Sequence, residues 1–402
     1  MIKNVTVKGL NGDKSFSVNF NEDINIITGR NGAGKTTLLK LLWYTLSGNI
    51  MNAIDEINFD YISITDEKHL IEFFKEETEK NIAMDRVNRS NSYIKKHNRL
   101  IRFYPNCDVT ITRLIDKKVI LDTVKEDNES LGGDVGDLVS SITSPTIFFP
   151  TFRRIEGGFS TSNSKYGYDN LYVDEERLQH SIRRVANKLT NKHHKFITSI
   201  STVDIVDLIT KEYANISEEA NENNIRVSRE IEQLINSHTI DTRDSSESKL
   251  DKANMILGDI KREIRNNTLS REELFKPFTV LNEMINKIFQ HKSIKVTDNV
   301  TLGELSETKE AMFSDLLSAG EKQMLSFITY NAFFKENTIF IDEPEISLHV
   351  DWQRTLLPTL MSQKSNNQFI IATHSPFIYT KYVDKEIILN VDRGDSSAVT
   401  LN

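Results

Sequence analysis

Eight residues near the start, Gly29-Arg30-Asn31-Gly32-Ala33-Gly34-Lys35-Thr36, fit the pattern G-x-x-x-x-G-K-[ST] at every required position. The flanks make this a constraint on the fold. Ile24, Ile26 and Ile27 form a short apolar strand that runs straight into the loop. Thr36 to Tyr44 then read as a helix with Leu38, Leu39, Leu41 and Leu42 on its buried side. Strand, glycine-rich loop and helix in that order make a phosphate cradle. Glycines let backbone N–H groups close around phosphate oxygens, and the helix presents its positive N-terminal end to the same oxygens. Lys35 is placed to reach β- and γ-phosphates and Thr36 to hold Mg²⁺. Asn31, Gly32, Ala33, Gly34 and Thr37 complete the nucleotide-binding set expected of this loop.

A second feature supplies acids. In Phe340-Ile341-Asp342-Glu343-Pro344-Glu345-Ile346-Ser347-Leu348-His349, apolar residues lead into paired carboxylates and a turn. A buried parallel strand delivers acids to a sheet edge in this way. Asp342 is the candidate metal ligand, and Glu343 the residue that orients and polarises the attacking water. The strand 368–373 ends at His374, which can hydrogen-bond a γ-phosphate or that water. Ser318 and Gly320, in Leu317-Ser318-Ala319-Gly320-Glu321, open another helix. They make either a second phosphate-binding surface or an ordinary N-cap. Arg153 and Arg154 follow a strand at 146–149, where they could meet a nucleotide, a nucleic-acid phosphate or a carboxylate, or form solvated ion pairs. His193-His194 has no second ligand group nearby and reads as solvated.

The rest of the 402 residues organises around these pieces. Val5, Val7 and Leu10, the strict alternation of Phe16, Val18 and Phe20, and the run at Tyr61, Ile62 and Ile64 read as strands. Val109 to Leu121 reads as a hairpin turning at Asp116-Lys117-Lys118, and the glycine-rich stretch 130–137 as a flexible loop. Residues 174 to about 290 are polar with helical spacing, and Pro277 is placed as for a first helical turn. No apolar heptad is sustained there, so a short helical hairpin is expected, with its tip at 245–248. From 317 strand and helix alternate again, which argues for a parallel sheet. The expected fold is α/β: a P-loop NTPase head, with a mostly parallel core sheet, an antiparallel β subdomain and a helical insertion. Residues 1–156 and 311–402 are read as the two parts of the head and 157–310 as the insertion.

Bulk properties narrow the classes. A net charge of -8 argues against bulk non-specific DNA binding but leaves room for a local basic patch. The single cysteine, Cys107, excludes a disulfide within the chain and a Cys-based metal site. No apolar run approaches the ~18 residues that span a bilayer. A soluble, cytoplasmic protein without a membrane partner is expected.

The order of the motifs resembles the ABC-type ATPase superfamily. Gly29–Thr36 resembles its Walker A loop and Leu317–Glu321 its signature motif, with Ala319 and Glu321 replacing the commonest Gly and Gln. Phe340–Glu343 resembles Walker B, Ser347–His349 falls where the D-loop sits, and His374 resembles the switch histidine. Within the superfamily, Asp342 to His349 followed by Trp352-Gln353, and the run Pro150 to Glu156, resemble the ATPase half of overcoming-lysogenization-defect (OLD) nucleases and related anti-phage ATPases, including Septu-type and PARIS-type systems. The resemblance implies ATP and Mg²⁺ as cofactors, and catalytic roles for Lys35, Glu343 and His374. It also implies a head-to-tail dimer or higher oligomer, with each ATP between the Walker A loop of one copy and Ser318 and Gly320 of the other.

Three departures shape the expectation. The superfamily's Q-loop glutamine has no counterpart before Gln179, so its role is vacant or taken by another residue. Only 28 residues follow His374, too few for a Toprim nuclease domain in this sequence. The insertion is too short for SMC-like arms. The expected function is therefore an ATPase that senses or scaffolds, controlling a separate effector, with a nuclease as first candidate, in anti-phage defence. A DNA repair or recombination ATPase of the RecF or SMC type is the alternative. A transporter subunit fits poorly, because 283 positions separate Lys35 from Ser318. An ATP-gated scaffold that hydrolyses little is kept open by the missing glutamine.

Overall fold

The computed structural model describes residues 1–12, 14–75, 93–96, 99–102, 107–123, 133–151, 184–197, 202–237, 246–288 and 318–389. Arg153 and Arg154 lie outside them, as does residue 245 of the tip expected at 245–248, whereas residues 246–248 open a helix rather than a loop. Two compact units are present, Met1–Ser199 with Phe334–Asn402, and Ile200–Phe333.

The first unit opens with β1 (Asn4–Leu10), β2 (Lys14–Asn19) and β3 (Ile24–Thr28), then helices α1 (Lys35–Leu46) and α2 (Ile50–Glu56). Next come β4 (Tyr61–Thr65), β5 (His69–Lys75), β6 (Tyr93–Lys96), β7 (Arg99–Arg102), β8 (Cys107–Arg113) and β9 (Lys118–Asp122). Strand β10 (Gly133–Asp134), helix α3 (Val135–Ile142), β11 (Thr146–Phe149) and β12 (His194–Phe196) follow. Among the described residues, six strands form an antiparallel sheet in the order β2-β1-β4-β5-β8-β9. Its patterning follows the two-residue repeat of a half-buried sheet. Val5 and Val7 are buried while Asn4 and Thr6 face outward, and Asn4 and Thr6 pair with Asn19 and Ser17 across the β1–β2 ladder. The hairpin expected at 116–118 is the β8–β9 connection, with Lys117 at φ 53°.

The second half of this unit adds β13 (Thr338–Asp342), β14 (Gln368–Ala372) and β15 (Glu386–Ile388) to a wholly parallel sheet, β12-β11-β13-β14-β3-β15. Strands β3, β11, β13 and β14 are buried at every position, as expected of continuous apolar runs covered on both faces. Trp43 on α1 seats that helix on the sheet. Its ring stacks on Phe148 of β11 at 5.8 Å and tilts against Phe196 of β12 at 5.0 Å, while Phe148 meets Phe340 of β13 edge-on. The helix that follows the glycine loop is thereby fixed against the strands that carry the acids.

Two local expectations are corrected here. The stretch around Gly136 is not simply a flexible loop: Asp134 caps α3 by accepting from the Gly136 N–H at 2.9 Å, and burial of Val135 and Val139 holds the helix down. His194 is not solvated. It is fully buried, its Nδ1 2.8 Å from the Thr146 hydroxyl and its Nε2 3.0 Å from the Ser140 carbonyl. The sequence offered no hint, because its partners lie about fifty residues away.

The second unit, described by itself, contains α4 (Thr202–Ser237), α5 (Ser246–Ile288) and α6 (Ala319–Phe333). The expected short hairpin is instead a pair of helices of 36 and 43 residues. Pro277 sits inside α5 rather than in a first turn. An interior proline costs about 3 kcal/mol through its lost N–H and ring clash. Phe278, Leu281 and Ile285, all buried just beyond it, offset that cost. Tyr213 of α4 packs edge-on against Phe275 and Phe278 of α5, and Phe278 against Phe333 of α6. The chain re-enters the first unit at Phe334, and helices α7 (Val350–Ser362) and α8 (Pro376–Tyr379) belong to that unit.

Burial holds the His194 imidazole down to about 4, against about 6.5 in an unfolded chain. Between those values the unfolded chain binds the extra proton, so this contribution is complete above pH 6.5 and is lost as pH falls toward 4. Urea unfolding of the wild type is expected to show up to about 3 kcal/mol of this loss. His194→Gln, weaker at pH 7, should show a visibly flatter dependence between pH 7 and 5.

Candidate functional site

The parallel register brings the sequence-predicted residues of the first unit to one sheet edge. Strand β3 enters the glycine loop, where Gly29, Gly32 and Gly34 all have positive φ, at 146°, 79° and 100°. An ideal Cβ on Gly29 would lie 2.5 Å from the Leu389 carbonyl oxygen, so no larger residue fits there. Asn31 and Gly32 are exposed, Ala33 is buried and Gly34 forms the N-cap of α1 without a side-chain cap. Thr36 and Thr37 lie half-buried in its first turn.

Lys35 is only 5% exposed, and its Nζ donates to the Gly29 carbonyl at 3.0 Å and the Arg30 carbonyl at 3.3 Å. The same nitrogen is 2.5 Å from Nε2 of His374. Burial pushes this ammonium below the ordinary lysine range, while the Glu343, Asp342 and Glu345 carboxylates draw it back up. His374 itself is exposed, two residues past the end of β14.

Asp342 is the last residue of β13 and 2% exposed. The Thr36 hydroxyl donates to its Oδ1 at 3.0 Å, and the Thr151 hydroxyl donates to its Oδ2. Burial pushes the Asp342 carboxyl up; the two hydroxyls oppose that, Glu343 adds to it and Lys40 opposes it. Glu343 follows in the left-handed region at φ 47°, unusual for a residue with a side chain, with its N–H donated to the Ala372 carbonyl at 2.8 Å. Such conformations collect where the surroundings over-determine them.

Sequence reasoning missed three polar groups here. Thr151 lies in the run 150–156, in which the arginines alone stand out as candidate contacts. Glu345 accepts from the Thr373 hydroxyl at 2.8 Å and from the His374 N–H at 2.6 Å. Gln353 of α7 donates to the Leu348 carbonyl at 2.7 Å and accepts from the Ser375 hydroxyl at 2.6 Å. The motif 342–353 carried the signal for the last two, but not the partners.

In the second unit, Ser318 and Glu321 form a capping box on α6: the Glu321 N–H donates to Ser318 Oγ at 3.3 Å and the Ser318 N–H to Glu321 Oε2 at 2.6 Å. Gly320 is buried in its first turn. The N-cap alternative is thus realised, and Ser318 Oγ keeps its own proton to donate.

The first unit's residues suit a nucleotide with its cation. Among the described residues no group of three or more His, Cys, Asp or Glu side chains could hold a metal ion. One carboxylate beside one hydroxyl is instead the sparse oxygen set that Mg²⁺ uses when phosphates complete its shell. Among the described residues, no helix is long and apolar enough to cross a membrane.

A parallel sheet whose strand ends gather a P-loop, its lysine and paired acids defines a P-loop ATPase. The family described as the AAA ATPase domain matches residues 1–379, and the chain belongs to it. It is 23% identical over 389 residues to endonuclease GajA of Bacillus cereus (strain HuB5-5), covering 90% of this chain and 53% of that protein. It is 28% identical over 141 residues to the Septu protein PtuA of Bacillus thuringiensis, 33% of either chain. A retron Vc95 probable ATPase of Vibrio cholerae serotype O1 biovar El Tor is 26% identical over 138 residues, 30% of this chain and 27% of that one. The chain therefore spans about half or less of these curated relatives. A solved Smc head domain from Pyrococcus furiosus covers 94% of this chain and 91% of its own at 14% identity, with a TM-score of 0.37, an overlay too loose to carry a functional argument. The family is the one that residues 29–36 and 340–353 pointed to.

Gly29→Ala tests the loop. The clashing atom is the Leu389 backbone carbonyl oxygen, so the loop must shift. The expected result is a stability loss of about 1–3 kcal/mol in thermal unfolding, with weaker ATP binding by titration.

Proposed function

We propose that the chain binds and hydrolyses ATP at the sheet edge around Lys35, Asp342 and Glu343, and uses that cycle to control a separate effector in anti-phage defence. The observation that carries the first half is the convergence of the Thr36 and Thr151 hydroxyls on the buried Asp342, beside the contact of Lys35 with His374. The loop N–H groups and Lys35 bind the phosphates. Thr36 and Asp342 would hold Mg²⁺, which supplies charge neutralisation on the phosphate oxygens. Thr151 is assigned the place left by the missing Q-loop glutamine, because it reaches the Asp342 carboxylate from just past the end of the neighbouring strand β11. Glu343 takes the proton of the attacking water as its oxygen bonds to the γ-phosphorus. The γ-phosphorus–oxygen bond to ADP breaks, and Lys35 and His374 balance the charge on the γ-phosphoryl oxygens. Ser318 and Gly320 of a second copy would close the site in a head-to-tail dimer.

The defence role is supported by the kinship with GajA, the Septu protein PtuA and the retron Vc95 ATPase. The RecF or SMC alternative requires DNA binding, which a net charge of -8 does not favour. DNA or RNA cleavage by the purified chain alone, with Glu343→Gln preparations ruling out a contaminating nuclease, would remove the separate effector from this reading.

Glu343→Gln is the central test. Mg²⁺-dependent ATP turnover should fall at least about 100-fold, the scale of a lost general base, while ATP affinity is kept. Light scattering should show an ATP-stabilised dimer or larger assembly that persists longer in the variant. Unchanged turnover would overturn the assignment.

A further inference from the structure

We propose that Glu345 is a positioning residue for His374: its carboxylate takes over where the β13–β14 ladder stops and holds the histidine against Lys35. The inference rests on the reading of His374 as a γ-phosphate contact. The ladder explains why such a residue is needed. Strand β14 pairs with β13 up to Asp342 opposite Ala372, and the Glu343 N–H closes the last bond to the Ala372 carbonyl. Beyond that point the β13 side turns away into the 3-10 turn Pro344–Ile346. Past the end of β14 the chain stays on the β3 side, with Thr373 bonded through its N–H to the Ile27 carbonyl. On the β13 side, the His374 N–H would have no backbone carbonyl to meet. Glu345 Oε1 accepts from it at 2.6 Å, and Oε2 accepts from the Thr373 hydroxyl at 2.8 Å. An ionised carboxylate is an acceptor only, so one side chain satisfies two donors and extends the sheet edge without a strand.

Gln353 fastens the same two segments from α7. Its Nε2 donates to the carbonyls of Leu348 at 2.7 Å and Glu345 at 3.3 Å, and its Oε1 accepts from Ser375 at 2.6 Å. The Ser375 hydroxyl in turn caps α8 by accepting from the Phe377 N–H at 3.2 Å. Residues 345–348 and 373–375 are thus tied together by hydrogen bonds through Glu345 and Gln353. Glutamine at 345 would turn one acceptor into a donor facing a donor. Alanine would leave both donors without their partner.

The experiment is a double-mutant cycle in the full chain with Glu345→Ala and His374→Ala, reading kcat, KM for ATP and ATP affinity. Glu345→Ala is expected to lower kcat about 10- to 100-fold, the scale of misplacing a reacting group by an ångström, with ATP affinity within about twofold. In the His374→Ala background it should add no further loss, because a residue acting through the histidine has nothing left to position. Multiplying losses, or a Glu345→Ala kcat equal to wild type, would overturn the proposal. So would full activity in His374→Ala. If Glu345→Ala does not fold, Glu345→Gln closes the same cycle with a smaller loss. The wild type and Glu343→Gln run alongside separate the two failures: a wild type without turnover defeats the hydrolysis reading, whereas an additive cycle in an active enzyme defeats only this one.

Discussion

The register of four buried parallel strands governs everything at the sheet edge around Asp342. Phe149 lies opposite Ile341, Asp342 opposite Ala372, and Ala372 opposite Ile27. Strands covered on both faces gain nothing from a slip of one residue, and their side chains would exchange faces if they slipped. The carboxyl ends of β11, β13, β14 and β3 therefore stop at a common edge. Thr151, Asp342, Glu343, His374 and the glycine loop arise from different parts of the chain and meet because their strands end together. The aromatic contacts of Trp43 with Phe148 and Phe196 then fix the depth of α1, so that Thr36 reaches Asp342.

The edge also divides the labour between backbone and side chain. As far as the Glu343 N–H the ladder is backbone; beyond it, carboxylate and amide side chains join the two segments. Side chains can be rearranged with less loss of structure than a ladder, which suits a region that must respond to a phosphate. On the other unit, the capping box of Ser318 and Glu321 gives a local reason for glutamate where glutamine is commoner. A carboxylate accepts the Ser318 N–H and complements the positive end of α6.

Which residues meet at the sheet edge could be read in part before the fold was known, and what was legible has a physical cause. Gly29–Thr36, Asp342-Glu343 and His374 are legible because a loop or strand end and its neighbours supply the signal over a few residues. The apolar runs of β3, β13 and β14 are legible because burial on both faces leaves no polar alternation to confuse. The parts that escaped are those whose meaning lies in a distant partner. Thr151 matters through Asp342, 191 residues on, and His194 is buried by the carbonyl and hydroxyls around α3 and β11. Pro277 escaped for a different reason: local preference puts proline at a helix start, and packing of Phe278 and its neighbours overrules it. The length of α4 and α5 was hidden because their mostly polar surfaces hold no sustained heptad.

One buried atom of the antiparallel sheet bears on how the molecule can be observed. Cys107 is the only cysteine in the sequence, 5% exposed on β8, and burial pushes its thiol up to about 12. At neutral pH it is a shielded thiol rather than a nucleophile. The natural chain is therefore close to a cysteine-free background. A single cysteine introduced at an exposed apolar position, such as Ile225 on α4 or Leu269 on α5, would take a fluorophore or spin label without competition, and nucleotide-driven movement could be followed in an otherwise unaltered protein.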